Sequence, residues 1–417
     1  MSITRQKLPA WALFSAMISM AGLPIYMHAP KYYVDTYQIS LSALGATLFV
    51  VRLIDVVQDP LLGWVAQHYQ NRRGLIVSVS GSAMALGMVG LFAVTPSFAP
   101  LLWFGLCLIM LFSAFSMASI CFYAQGIGKA QTLGPLGHVR LAGWREGGAL
   151  LGVSLAAVIP LALSGMIEAP FAGLALGFGP LVLLALWFMR DEWHSGMPVP
   201  LKPISLLALL RQKTTRRYLI LALLNGAPVA VTSTLFLFFV ESRLQSQAAA
   251  GPLLLLFFLA AALSAPLWAR LAGSYGSKLM LQVGMILAIL TFGCALLVSA
   301  GQVMGFALIC LVSGMALGAD MTLLPAIFAR HLEATWGRDA SALGFGLWAF
   351  VSKFSLALAA VILLPALDHV GYGAGRENSA QSLWALSALY TLFPCFLKCA
   401  ALVLLTVTRI REPNGRL

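Results

Sequence analysis

The stretch that decides the fold is LFVVRLIDVVQDPLLGWVAQHYQNRRG, residues 48–74, which places charged side chains inside an apolar run long enough to cross a bilayer. On an α-helix, which advances about 100° per residue, Arg52, Asp55 and Asp59 share one stripe of the surface. Each of them would cost roughly 2.5–3.5 kcal/mol at the centre of a membrane-spanning helix that faced lipid. They must therefore face the protein interior, pair with one another or line water.

Composition places the chain in a membrane. It has 417 residues, of which 60% are hydrophobic and 10% are charged, whereas soluble domains average about 25% charged residues. About 20 apolar residues cross the hydrocarbon core, and stretches of that kind recur throughout the sequence. The pattern predicts an all-α integral membrane protein with twelve transmembrane helices, near residues 9–30, 41–66, 75–95, 99–122, 141–164, 169–189, 217–240, 249–272, 279–299, 302–326, 341–367 and 384–408.

The basic residues indicate the orientation, because lysine and arginine collect in cytoplasmic loops. Nineteen of the 26 fall in segments that are cytoplasmic if the N-terminus is inside, three fall outside, and four lie within or at the ends of helices. We therefore expect both termini in the cytoplasm of a multi-pass protein of the plasma membrane, with a bacterial inner membrane as the expected setting. The net charge of +12 then reflects contact with anionic lipid headgroups rather than binding of nucleic acid.

An internal repeat divides the chain into halves. PLLGWVAQHYQNR from Pro60 is similar to PLWARLAGSYGSK from Pro266, and the offset is about half the chain. A segment rich in proline and charge separates the sixth and seventh predicted helices. The sequence therefore predicts a six-helix bundle over 1–189, a cytoplasmic linker over 190–216 and a second six-helix bundle over 217–417. Two halves of this kind resemble the major facilitator superfamily, in which the halves rock about a site near the midplane.

The charges of the second predicted helix allow two interpretations. Arg52 and one aspartate could form a buried ion pair that holds helices together. Since one arginine neutralises one carboxylate, the other aspartate needs Lys353 of the eleventh predicted helix, Arg145 of the fifth, or a cation that exchanges. Intramembrane ionisable residues commonly belong to ion pathways, which makes Asp55 and Asp59 candidates for a cation site.

Further charges lie in the fifth and tenth predicted helices. Arg145 and Glu146 in HVRLAGWREGGALLG are either a pair that extends to the membrane interface or groups that face a substrate. Asp320 is either a gate or relay, a role also open to Glu146, or the salt-bridge partner of Arg330 or Arg338, which is the interpretation that we favour. Small residues spaced by four in the fifth helix would let another helix approach closely. These residues are Gly143, Gly147, Gly148 and Gly152.

Aromatic and cysteine side chains give weaker indications. Tyr123 and Trp348 could stack on a substrate ring, although most aromatic residues in such a protein pack or face lipid. The six cysteines all fall in predicted helices without a histidine or carboxylate at ligand spacing, so we expect neither metal nor disulfide chemistry. No nucleophile with a base is visible. The chain is therefore not expected to be an enzyme, and no cofactor is expected beyond a coupling ion, H⁺ or Na⁺.

RLIDVVQDPLLGWVA closely resembles the second-helix motif of the glycoside-pentoside-hexuronide:cation symporters. The family pattern is R, two residues, D, three residues, D-P, two residues, G-W, and the chain matches it from Arg52 to Trp64. The upstream YYVD and the order of Arg140, Arg145 and Lys353 are also similar to the family. The resemblance covers most of the chain and is strong in the segment that ends near the third predicted helix.

The resemblance implies roles for individual residues. Asp55 and Asp59 would bind the cation, and Arg145 would help to bind sugar. Lys353 would balance charge, together with Arg52. A sugar-transporting member of the family carries acids on the first and fourth helices, where this chain has serines. These serines, Ser19 and Ser119, are retained as candidates for the substrate site.

The sequence thus predicts a secondary active transporter, a symporter coupled to H⁺ or Na⁺ that carries a small polar solute such as a sugar or glycoside by alternating access. Its expected partners are that solute, a monovalent cation and membrane lipids, and it is expected to act as a monomer. An alternative is a lysolipid or other amphiphile transporter of the same fold. An alternative of another class is a membrane enzyme or assembly factor.

Overall fold

The computed structural model describes residues 7–22, 29, 32–33, 36–39, 41–163, 166–193, 204–337, 339–372, 378–408 and 410. These residues form helices joined by short connections. The earlier helices are α1 (Leu8–Met20), α2 (Leu41–His68), α3 (Arg73–Phe92), α4 (Pro100–Thr132), α5 (Gly137–Leu163) and α6 (Pro170–Met189). A short helix, Leu206–Arg211, precedes α7 (Lys213–Phe238), α8 (Ala250–Tyr275), α9 (Ser277–Cys294), α10 (Val303–Trp336), α11 (Ser341–His369) and α12 (Ala380–Val407).

Membrane crossing is supported by the length and composition of these helices. In the described ranges, eight are long and apolar enough to span a bilayer, namely α3, α4, α6, α7, α8, α9, α10 and α12. The chain is therefore a multi-pass, all-helical membrane protein. The twelve spans and the cytoplasmic termini expected from the sequence stay predictions.

The chain divides into two compact units. The first unit comprises residues 1–206 together with 332–350, and the second comprises 207–331 together with 351–417. The end of α10 and the start of α11 therefore belong to the first unit. The linker expected over 190–216 stays a prediction, and its first turn, residues 190–192, is a 3₁₀ helix that continues from α6.

Aromatic side chains fill the first unit where its helices meet. In this unit α1 packs against α5 and α6, α3 packs against α4 and α6, and α2 packs against α4. Trp11 and Phe14 of α1 are fully buried. Their rings lie 5.0 and 4.9 Å, centroid to centroid, from the ring of Phe122 on α4. Together these rings form the centre of the packing between α1 and α4.

Two glycines set the close approach of α1 and α5. A Cβ atom on Gly148 would lie 2.2 Å from the carbonyl oxygen of Ala12, and one on Gly152 would lie 2.2 Å from that of Ala16. Both distances are far below van der Waals contact, so only glycine fits at these positions. The close helix approach predicted from the glycine spacing is therefore confirmed for these two residues, which face the alanines of α1 one turn apart.

A buried polar network joins the ends of four helices of the first unit. Glu192, which follows α6, accepts hydrogen bonds from Trp11 Nε1 at 3.3 Å and from Lys129 Nζ at 2.9 Å. Gln125 donates to the carbonyl oxygen of Glu192 at 2.6 Å and accepts from Arg73 at 2.8 Å. Buried charges are tolerated when they are paired and hydrogen-bonded. The acid and the two cations therefore stabilise one another where α1, α3, α4 and α6 end or begin.

The second unit is built in a similar way, from stacked rings and close glycine contacts. In this unit α12 packs against α7 and α9, and α8 packs against α9. Phe239, just after α7, stacks on Tyr390 of α12 with 4.3 Å between ring centroids. A Cβ atom on Gly314 of α10 would lie 2.3 Å from the carbonyl oxygen of Phe257, so α10 and α8 approach closely there.

Two helices are longer than their apolar patterns predict. The fourth was expected to end near residue 122 and the tenth near 326, whereas α4 ends at Thr132 and α10 at Trp336. The prediction stopped where the hydropathy fell, but tertiary contacts hold the polar turns that follow. In α4 these turns join the network around Glu192, and in α10 they carry Glu333, which contacts His138 at the start of α5.

Candidate functional site

Asp55 is a buried carboxylate on the face of α2 that packs against α4, and only 4% of the residue is exposed. A terminal nitrogen of Arg52 lies 3.7 Å from its Oδ2. Its Oδ1 accepts hydrogen bonds from Ser116 Oγ at 3.3 Å and from Gln58 Nε2 at 3.4 Å. Charge-assisted hydrogen bonds measure about 2.7–2.9 Å, so all three contacts are long. An ion pair of Arg52 with one aspartate is present, but both residues lie on α2, so this pair does not itself join two helices.

Serines of α4 complete this site. Besides Ser116, Ser113 donates to Gln58 Oε1 at 2.8 Å and so orients the amide that faces Asp55. Ser119 on this helix was predicted as a site residue, whereas Ser113 and Ser116 were not. Their spacing could have indicated a polar site, because residues three apart lie on one face of a helix. Two hydroxyl groups on one face of an apolar helix need polar partners.

Asp59 follows Asp55 by one helical turn and is fully buried. Pro60 lies inside α2 and has no N–H, so the carbonyl group of Val56 lacks its usual helical donor. A Cβ atom on Gly346 would lie 2.9 Å from the carbonyl oxygen of Asp59, which brings the first turns of α11 close to α2 within the first unit. Two carboxylates and a backbone oxygen thus occur within one to two turns of a single helix.

A second cluster joins α4 and α5. Arg145 Nε and the hydroxyl group of Tyr123 both donate to Oε1 of Glu146, each at 2.8 Å. The guanidinium carbon of Arg145 lies 3.7 Å from the centroid of the Tyr123 ring, well inside the range of about 6 Å for a cation–π contact. Arg145 and Glu146 are 4% and 1% exposed. Because both are buried, the interpretation that this pair extends to the membrane interface is wrong.

Arg145 has N–H donors that its hydrogen bond to Glu146 does not use. Arginine has five N–H donors, and that hydrogen bond uses the one on Nε. Tyr123 is half-buried, and its ring lies 5.0 Å from that of Phe345, in the part of α11 that belongs to the first unit. A planar donor group beside an aromatic wall suits a solute that carries hydroxyl groups. The structure thus joins Tyr123, which the sequence suggested as a stacking residue, to the pair of Arg145 and Glu146.

Asp320 has a different partner from the one that we favoured. Lys398 Nζ contacts Asp320 Oδ2 and donates to Asn225 Oδ1 at 2.6 Å. The predicted salt bridge to Arg330 is wrong because ten helical residues separate the two by about 15 Å along α10; Arg338 lies outside the described residues. The sequence did not indicate a role for Lys398, because a cation on α12 gives no sign of its partner on α10.

The other predicted site residues lie on α1, α4 and α11. Trp348 and Lys353 both lie on α11 and are half-buried, Trp348 in the first unit and Lys353 in the second. Ser19 on α1 and Ser119 on α4 are half-buried. Neither serine is a hydrogen-bond partner of Arg145 in the described part of the chain. The charge-balancing role of Lys353 and the substrate roles of the other three stay predictions.

Comparison with known proteins identifies the family. The family described as MFS/sugar transport protein matches residues 10–412. The class G tetracycline resistance protein of Vibrio anguillarum is 32% identical over 174 residues, which is 40% of this chain and 41% of that protein. The match thus spans about two fifths of the relative's length. That protein's activity is therefore not attributed to this chain on the basis of the match.

A solved structure shows the same fold. The crystal structure of a bacterial homologue of the iron transporter ferroportin in its outward-facing state aligns with a TM-score of 0.68 and covers 98% of this chain and 100% of that one. At 14% identity the likeness concerns the fold alone. The family match extends over nearly the whole sequence, and the helices are those of a multi-pass membrane protein. The chain therefore belongs to the MFS/sugar transport protein family and is a transporter of the major facilitator superfamily.

Proposed function

We propose that the protein is a secondary active symporter that couples a monovalent cation, H⁺ or Na⁺, to a small polar solute such as a sugar or glycoside. The observation that carries this proposal is the Asp55 carboxylate, which is buried in α2 beside Arg52, Ser116 and Gln58. A buried ionisable group in the interior of a membrane protein commonly belongs to an ion or proton pathway. Asp59, one turn away, would supply a second carboxylate, as the second-helix resemblance implies.

One cation would perform useful work. An elementary charge that moves through about 100 mV releases about 2.3 kcal/mol, and about 1.4 kcal/mol corresponds to a tenfold concentration ratio. One cation per solute would therefore sustain an accumulation of roughly fifty-fold. In this mechanism the cation neutralises a carboxylate that otherwise attracts Arg52 and Lys353, and the change in charge permits alternating access.

We place the solute beside Arg145 and Tyr123. The remaining N–H donors of Arg145 would hydrogen-bond to hydroxyl oxygens, and the aromatic wall would cover the apolar face of a sugar ring. Glu146 would serve as acceptor for a solute hydroxyl or as a relay for a proton. Further proposed members of this site are Trp348, Ser19 and Ser119.

The setting of this activity is also a proposal. The apolar pattern supports twelve spans, and the distribution of basic residues supports both termini in the cytoplasm. We place the protein in the plasma membrane, and specifically in a bacterial inner membrane. We propose that one chain suffices for transport, because the two predicted halves would supply both sides of the substrate pathway.

A second candidate is the transport of an amphiphilic compound. Its support is the similarity to a tetracycline resistance protein over 174 residues, together with serines where a sugar-binding member of the resembled family carries acids. In that case the Arg145 cluster would bind a polar headgroup or ring substituent. The resembled motif of α2 would keep its role in coupling.

The experiment that separates these candidates is a thermal-shift screen of the purified protein. Sugars, glycosides, uronates, lysolipids and tetracycline are tested in Na⁺ and in K⁺, each at two pH values, because a ligand that binds the folded state raises the unfolding midpoint. At a concentration of 100 Kd the stabilisation is about 2.7 kcal/mol. The variants are Asp55→Asn and Asp59→Asn, and Asp191→Asn serves as a control because its side chain is 59% exposed.

We expect a sugar or glycoside to stabilise the protein, with an effect enhanced by Na⁺ or by low pH. The enhancement should be lost in Asp55→Asn or Asp59→Asn and kept in Asp191→Asn. Stabilisation by lysolipids or tetracycline alone would favour the second candidate. An ion dependence that survives both substitutions in α2 would show that the cation binds elsewhere.

A further inference from the structure

The second unit contains a buried charge cluster that the proposed coupling site does not use. Lys398 of α12 contacts Asp320 of α10 and donates to Asn225 of α7 at 2.6 Å. The three residues are 4%, 6% and 5% exposed. Three helices that are distant in sequence thus each contribute one polar side chain to a site inside an otherwise apolar unit.

Only one of the two carboxylate oxygens of Asp320 has a partner among the described residues. Lys398 donates to two oxygens and balances the charge of Asp320. The other carboxylate oxygen, Oδ1 of Asp320, is buried and accepts no hydrogen bond from the described residues. Leaving a buried acceptor unsatisfied costs about 1–3 kcal/mol, and more when the group is charged. A ligand that the protein does not itself provide, such as water or a proton, would satisfy this oxygen.

A cavity beside the cluster has room for that ligand. Its volume is about 40 Å³, and Asp320 and Lys398 line it together with Thr232, Ser313 and Phe257. A water molecule needs roughly 10–15 Å³ of such space, so two or three waters fit and a sugar does not. The ligand is therefore a small one that water can deliver.

The charges around the cavity favour a proton over a metal cation. In the described ranges, Lys398 is the charged group that faces Asp320 across the cavity, and Cys395, one turn before Lys398, is the other titratable side chain in its lining. Hydroxyl groups of Thr232 and Ser313 donate to backbone carbonyl groups of their own helices. A sodium ion would have to lie beside the ammonium group, whereas a proton on Asp320 adds no separate ion.

We propose that Asp320 is a second proton-exchange site and that Lys398 is its internal counter-ion. A proton carried by cavity water binds Oδ1 of Asp320, and its release returns it to that water. When Asp320 is neutral, the ammonium group loses its counter-ion inside the unit, and this favours movement of α12 relative to α7 and α10. The site belongs to the second unit and uses neither Asp55 nor Asp59 of the first, so it can be tested whether or not those residues couple transport.

Infrared titration of lipid-reconstituted protein tests this proposal without knowledge of the solute. As the pH falls from about 9 to about 5, a range in which ordinary exposed carboxylates stay charged, a carboxylic acid carbonyl band should grow. Asp320→Asn should remove that band, whereas Asp191→Asn, at an exposed site, and Asp55→Asn should keep it. Lys398→Met should move the band's midpoint upward by about one pH unit or more, a tenfold or larger change in proton concentration.

Asp320→Glu keeps the acid and serves if the asparagine variant does not fold. In that variant the band should persist at the frequency of a glutamic acid. The proposal is overturned if Asp320→Asn leaves every band unchanged. It is also overturned if neither Asp320→Glu nor Lys398→Met alters the frequency or the midpoint, because Asp320 would then stay charged throughout and the cluster would be a structural ion pair.

Discussion

An alanine at Gly148 should destabilise the protein, although alanine is the better helix former. The new Cβ atom would lie 2.2 Å from the carbonyl oxygen of Ala12. To restore an ordinary van der Waals distance between these two atoms, α1 and α5 must separate by about 1 Å. A gap of about 0.5–1 Å forfeits a quarter to a half of the dispersion energy at each contact. Overpacking costs about 1–3 kcal/mol, and a backbone oxygen cannot swing aside, so the upper end applies.

The helix propensity of alanine returns about 0.5–1 kcal/mol, which leaves a net loss of about 2 kcal/mol. For a unit of this size that loss lowers the unfolding midpoint by roughly 4–8 °C. Gly152→Ala should behave alike, since its Cβ atom would lie 2.2 Å from the carbonyl oxygen of Ala16. Gly177→Ala is the matched control, because nothing lies within 4 Å of the position its Cβ would take; it should gain about 0.5–1 kcal/mol.

The assay is thermal unfolding followed by tryptophan fluorescence. Trp11, on α1, is fully buried against Phe122 of α4 and is one of the ten tryptophans that give the signal. The decisive result is the opposite sign of the shifts in Gly148→Ala and Gly177→Ala. If both substitutions raise the midpoint, the helices do not meet at Gly148 and the packing of α1 on α5 is wrong.

Three further changes test the polar sites and the contact of α2 with α11, and each is followed by thermal unfolding. Tyr123→Phe removes a 2.8 Å hydrogen bond to the buried Glu146 while keeping the ring beneath Arg145, and it should cost about 1–3 kcal/mol; an unchanged midpoint would argue against the bond. Glu192→Gln leaves Lys129 without its acid and should cost about 3 kcal/mol, with high salt giving no rescue. Gly346→Ala places a Cβ atom 2.9 Å from the carbonyl oxygen of Asp59 and should cost about 1–2 kcal/mol; a gain would disprove the contact.

The sequence was most informative where local periodicity decides the structure. Hydropathy predicted the positions of the helices, and the shared stripe of Arg52, Asp55 and Asp59 allowed an ion pair of Arg52 with one aspartate, which is Asp55. The spacing of Gly148 and Gly152 likewise predicted a close helix contact. In each case the partner lies within one turn, or the requirement is only that a second helix passes nearby.

Prediction failed where the partner lies far along the chain. Asp320 was assigned to Arg330 or Arg338, whereas its partner Lys398 is 78 residues away on α12. Glu192 was given no partner, although it is buried and bonded to Trp11 of α1 and Lys129 of α4. Hydropathy shows that an intramembrane charge needs a counter-charge, but only the arrangement of the helices determines which one it meets.

The network around Glu192 has a consequence for the order in which the protein is made. Lys129 precedes its acid by 63 residues, so at about 5–20 residues per second the ribosome needs roughly 3–13 seconds to supply the partner. During that interval Lys129 and Arg73 must be accommodated by water, lipid headgroups or the insertion machinery. A nascent chain that stops before Glu192 has most of the first unit's helices but lacks the acid that pairs with Lys129, so this ion pair can form only after the whole of α6 has been made.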